Sequence, residues 1–230
     1  MVVAVAIACG GQVRGAASSS ADIVALEAGD HVAPAVNRTE PTITFRFSDE
    51  INRNITIKKL ILKGIENWNT SLGFPPASTR KFLVPGIQPW RKQGDYPDEP
   101  GIDIILEDSA RLSHNWGSIT LTVNAVDMRA KYIRLNRDYY NRAGVGHEDV
   151  DKLNTVVHEL GHALGLDHPP KPYPICAQVM TYPGFGGCST LNQPVSPHRE
   201  EVAYVKCLYG LDGTAAKAWD VCEKEVNALY

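Results

Sequence analysis

Long apolar runs are missing from this sequence. Nowhere do its 230 residues approach the roughly 20 consecutive apolar residues that a membrane-spanning helix needs, so no transmembrane segment is expected. A charge excess is missing as well. With 23 Lys and Arg against 26 Asp and Glu, the net charge is -3, which gives no field to recruit nucleic acid or an anionic membrane. Cysteine is absent between Cys9 and Cys176. The four that follow, Cys176, Cys188, Cys207 and Cys222, are spaced too widely for a cysteine zinc knuckle. An even number in a chain with an apolar start reads as two disulfides, and hence as a secreted protein. Cys176–Cys188 and Cys207–Cys222 are the preferred pairs among three pairings; free thiols in the cytosol are the alternative. The apolar start itself, residues 1–9, resembles the end of a secretory signal but lacks the basic segment that normally precedes one. Ala6-Ile7-Ala8-Cys9 also resembles a lipoprotein cleavage box, which implies a lipid anchor at Cys9; the other reading is a cysteine lost with the signal.

What is present is concentrated in one stretch, His158-Glu159-Leu160-Gly161-His162-Ala163-Leu164-Gly165-Leu166-Asp167-His168. Histidines four apart on a helix share a face, one turn above the other, so both imidazoles can reach one ion. Gly165 stands where a helix ends in a left-handed residue, after which the chain can return His168 as a third nitrogen. Three neutral imidazoles with one open position make a catalytic zinc site, whereas structural sites close with four protein ligands. Glu159 is placed to take the proton of a water at the open position, whose pKa zinc lowers to about 7. By chance the five fixed positions would occur in such a chain with odds on the order of one in 10^5.

This pattern resembles the long zinc signature of the metzincin metallopeptidases. Val179-Met180-Thr181-Tyr182, eleven residues past His168, is similar to the metzincin Met-turn, with Met180 as an apolar floor under the metal. The Met-x-Tyr spacing is that of astacin-like and serralysin-like members, while matrixins typically place tyrosine directly after the methionine. The resemblance implies that Tyr182 binds zinc at rest and stabilises the oxyanion in the transition state; the plainer alternative is a tyrosine in the pocket wall. No matrixin cysteine switch is found, and Gly29-Asp30 resembles the astacin-type aspartate plug only as far as any turn does. The matrixin His-x-Asp motif for a structural zinc is missing too. His31, His114, His147 and His198 stand alone and read as surface or capping residues, so one catalytic zinc is expected. The scattered acids between Gly94 and Asp108 form no recognisable calcium loop, which leaves Ca2+ an open question.

Taken in order, residues 1–40 read as a leader and short pro-segment, 41–212 as a catalytic domain and 213–230 as a tail held by Cys222. Ile43, Phe45 and Phe47 alternate as a half-buried strand, then Ile57, Ile61, Ile65 and Trp68 recur at helical spacing up to Gly73. Strands follow around 81–84, 102–106, 119–123 and 132–136. The zinc helix begins near His147 with Val150, Leu153, Val157, Leu160 and Leu164 as its core stripe. Ser196-Pro197 opens a last helix ending at Gly210. The order predicts an α+β fold with an α/β-like N-terminal half. The metzincin resemblance, over 41–212, implies a twisted, mostly parallel sheet, two long helices, a zinc cleft and a small C-terminal subdomain. The edge strand within 111–127 should border that cleft and pair with a substrate peptide as an added strand. The expected function is that of a secreted, monomeric zinc endopeptidase. The alternative is a catalytically silent binding module on the same fold.

Overall fold

A computed structural model of the chain describes residues 2–5, 42–86, 101–108, 120–124, 130–142, 148–168, 178–181 and 195–228. The fold is a mixed α and β architecture. Its sheet has the order β1-β5-β6-β4-β2-β3, from strands β1 (Val2–Val5), β2 (Ile43–Phe47), β3 (Leu83–Pro85), β4 (Ile102–Glu107), β5 (Thr120–Asn124) and β6 (Ala130–Asn136). The four strands β3, β2, β4 and β6 run parallel, and β5 and β1 continue the sheet antiparallel. Helix α1 (Asp49–Arg53) leads into α2 (Ile55–Leu72), a short α3 (Arg137–Asn141) follows β6, and α4 (Glu148–Ala163) carries the paired histidines. Two further helices, α5 (Arg199–Tyr209) and α6 (Trp219–Asn227), complete the chain.

Helix α2 forms where the sequence period changes from two to about 3.6. Asn54 caps its first turn by accepting from the Ile57 backbone N–H, and Gly73 closes it at φ 98°, the left-handed region that favours glycine. Its buried face, Ile57, Ile61, Ile65 and Trp68, turns toward the interior. Gly64 is the close-approach point with α4: a Cβ there would stand 2.7 Å from Val156 Cγ1 and 3.3 Å from Leu160 Cδ1. Trp68 is fully buried, and its indole N–H donates to the Val157 carbonyl at 2.8 Å. Packing and a directed hydrogen bond therefore fix α4 against α2, one residue ahead of His158. Asn69 latches β3 to the same helix, donating to Leu83 O at 2.7 Å and accepting from the Phe82 and Leu83 N–H groups. In the sheet, Arg46 of β2 and Asp103 of β4 form a buried ion pair at 2.7 Å.

Several expectations are corrected. Val150 is exposed and Leu153 half-buried, whereas Val156 is buried. The contact between α2 and α4 centres on Gly64, Val156 and Leu160, so the first turn of α4 projects beyond it. Helix α5 starts at Arg199, not at Pro197, because the Glu201 carboxylate reaches back to the His198 N–H and makes His198 the cap. Within 213–230, read as a tail held by Cys222, residues Trp219–Asn227 form α6. Only Cys222 and Val226 of that helix are buried, too short a stripe to read as amphipathic. The Cys207–Cys222 disulfide is present and joins α6 to α5. Closing a loop of 15 residues, it is worth about 3 kcal/mol in the chain-entropy account. Within the stretch read as a leader, Val2–Val5 forms β1, paired with β5. Cys9, Cys176, Cys188, Tyr182, His31, His114 and His147 lie outside the described residues. No helix among the described residues is long and apolar enough to cross a membrane.

Candidate metal centre

The centre is built where α4 ends. Leu166 N–H donates to Gly161 O at 3.0 Å and Gly165 N–H to His162 O at 2.9 Å, the paired bonds of a Schellman turn, with Gly165 at φ 93°. The turn sends the chain back under the helix and delivers His168 to the histidines of α4. It also returns the Leu166 carbonyl to His162 Nδ1 at 2.8 Å. His158 Nδ1 meets the Val179 carbonyl at 2.7 Å. A carbonyl can only accept, so both rings carry their proton on Nδ1 and present a bare Nε2.

Those Nε2 atoms converge. His158 and His162 stand 3.1 Å apart at Nε2, and His158 and His168 3.2 Å apart. Tetrahedral zinc bonded to nitrogens at 2.0–2.1 Å would separate them by about 3.3 Å. Facing lone pairs repel unless a cation lies between them, so the donor set fits a divalent metal that takes imidazole nitrogen. Among the described residues this triad is the one group of His, Cys, Asp or Glu so arranged, its ligand atoms all within 4.8 Å of one another.

Burial keeps the rings neutral and ready to ligate. Desolvation, with the neighbouring His168, lowers the His158 pKa to about 3. Desolvation holds that of His168 at about 4. His162 is held well below its ordinary value by burial and by both neighbours. Glu159 is 2% exposed, its Oε1 is 3.9 Å from His158 Nε2, and its Oε2 has no hydrogen-bond partner among the described residues. Burial pushes its pKa well up. A carboxyl beside an imidazole cluster, with one oxygen uncommitted, is suited to exchange protons with a molecule entering the centre.

Beneath the helix, the Gln178–Thr181 segment makes a tight turn, with Thr181 N–H donating to Gln178 O at 3.2 Å. Met180 is buried, and its sulfur lies against Gly161, the residue before His162. His158, Glu159, His162, His168 and Met180 are thus brought together, as their spacing predicts. Sequence reasoning missed the groups that orient them: the Trp68 indole, the Val179 and Leu166 carbonyls, and Glu201, which accepts from Met180 N–H at 2.7 Å. Two of them left a sequence trace, Trp68 as the last aromatic of the α2 stripe and Glu201 as an acid early in the last helix, but neither trace pointed to the histidines.

Comparison with protein-family models finds no match, and comparison with curated proteins finds none either.

Proposed function

We propose that the chain is a secreted zinc-dependent endopeptidase of the metzincin type. The observation that carries this reading is the convergence of two carbonyl-oriented imidazoles and His168 on one point, with the Glu159 carboxylate 3.9 Å from the nearest of their nitrogens. The parallel strands with an antiparallel continuation, and Met180 packed under the histidine pair, support the same reading. The Cys207–Cys222 disulfide supports an oxidising, extracellular setting.

His158, His162 and His168 would hold Zn2+, which when bound supplies Lewis acidity toward a peptide carbonyl and toward water. Glu159 takes a proton from the attacking water and returns it to the leaving amine nitrogen. Its burial serves the first step, because a carboxylate with a raised pKa is a stronger base toward water, and the proton still passes on because the leaving amine is more basic than the carboxylate. By the resemblance, Tyr182 would donate to the developing oxyanion. β5 is not the edge strand the sequence suggested, since it pairs with β6 on one side and β1 on the other, so a substrate would lie extended along β5 only in the place β1 occupies.

The test is Glu159→Gln with quenched-peptide cleavage and metal analysis on the same sample. The expected outcome is about one zinc per chain and at least a hundredfold loss of turnover, the usual scale for losing a general base. Retained turnover in that variant would remove Glu159 from the mechanism. A wild-type chain that holds zinc yet cleaves nothing would favour a binding module.

A further inference from the structure

The buried Glu201 has no part in the chemistry just described, yet it makes bonds that only a carboxylate can make. It is 6% exposed, and α5 inserts it beneath the turn that carries Met180. Its Oε1 accepts from the Met180 N–H at 2.7 Å, and its Oε2 accepts from the His198 N–H at 2.6 Å. Val179 N–H adds a further backbone interaction. Burial is costly for this group and pushes its pKa up to about 7 despite those donors. Its two bonds to backbone N–H groups tie the turn of Met180 to the start of α5. The neighbouring Glu200 holds the start of the same turn, accepting from Gln178 Nε2 at 2.6 Å.

The turn so held is the one whose Val179 carbonyl meets His158 Nδ1 at 2.7 Å. We infer that Glu201 is a positioning residue for the metal centre: from α5 it locks the 178–181 turn, and through the Val179 carbonyl it sets the tautomer and tilt of His158. A continuous path therefore runs from the N-terminus of α5 to the His158 Nε2 atom. The inference rests on the metal-site reading above and goes beyond it, because it assigns part of the metal affinity to a residue 33 or more positions from the three histidines that touches none of them.

Glutamine has the same shape but only one acceptor; its amide NH2 would face a backbone N–H where Glu201 offers a second oxygen. Outer groups that orient a ligand histidine typically carry 10–100-fold in metal affinity. The experiment uses the full chain, stripped and titrated with Co2+, whose absorption bands report the geometry of its ligands. Glu201→Gln should bind Co2+ about 10–100-fold more weakly, with altered bands. Ile65→Val, a core change with no bond to the turn, serves as the stability control and should leave affinity and bands at wild type. Glu201→Asp keeps the charge and loses one methylene of reach, and should also weaken Co2+; it serves if the glutamine variant does not fold. Wild-type Co2+ affinity and bands in either folded Glu201 variant would overturn the inference. A wild-type chain that binds no Co2+ would overturn it together with the metal reading. A chain that binds Co2+, loses affinity in Glu201→Gln and cleaves no peptide would support the inference while removing the peptidase.

Discussion

Gly161 shows how much one hydrogen can decide. Within a helix, replacing glycine by alanine ordinarily gains about 1 kcal/mol. Here the added Cβ would land on the Met180 sulfur and stand 3.2 Å from Trp68 Cζ2, inside a buried contact. Methionine is flexible, but this one has its backbone N–H tied to Glu201, so it cannot retreat with the turn. Overpacking of this kind costs about 1–3 kcal/mol, so the clash should outweigh the helix gain. Gly161→Ala is expected to lower the melting temperature by about 2–4 °C, as a net loss near 1 kcal/mol does in a chain of this size. A melting temperature that rises instead would mean that Met180 does not occupy the space under Gly161. At this scale the sequence is informative where chemistry needs a fixed spacing. His158, His162 and His168 are legible because helical geometry and one glycine dictate their separation. Glu201 is not, because its partner Met180 lies 21 residues away and a first-turn acid has a sufficient local explanation as a helix-terminus charge.

Among elements, the period changes along the chain gave β2, α2, β4 and β6 close to where they stand, because one buried face per element leaves a regular mark. Helix α6 left too little: nine residues with two buried positions and a disulfide supplying part of what packing does elsewhere. The start of the chain bears on the proposed substrate strand. Residues 2–5, read as part of a leader, pair antiparallel with β5 from Val2 opposite Asn124 to Val5 opposite Leu121. Backbone pairing of that kind is what the proposed substrate strand would use, so β1 and an incoming peptide compete for the same N–H and C=O groups. Removing residues 1–9 should lower KM and leave kcat little changed. If β1 is paired nine-tenths of the time, the fall in KM is about tenfold. Steady-state cleavage of one peptide by the two chains measures it, and an unchanged KM would mean that substrate does not enter along the β5 edge.

For the whole molecule, the buried acids and histidines set how the metal-free chain responds to pH, and they pull in opposite directions. The folded pKa values of His158 and His168 are depressed to about 3 and 4, and that of His162 is lowered too, against about 6.5 in an unfolded chain. As pH falls below 6.5 the unfolded chain takes up protons that the folded chain refuses, so the stability these rings contribute is full above 6.5 and is lost progressively on acidification. The raised pKa values of Glu159 and Glu201 do the reverse. Between about 7 and 4.5 the folded chain protonates Glu201 first, which favours it as pH falls. Three histidines against two acids leave a net loss of stability on acidification. Glu201→Gln removes one of the two opposing groups, so the loss should steepen by up to about 1.4 kcal/mol per pH unit. Urea midpoints of the chelator-stripped chain and its Glu201→Gln variant at pH 7, 6 and 5 would show the two curves diverging toward acid. Parallel curves would mean that Glu201 is ionised throughout that range, and that its bonds to Met180 and His198 outweigh the cost of its burial.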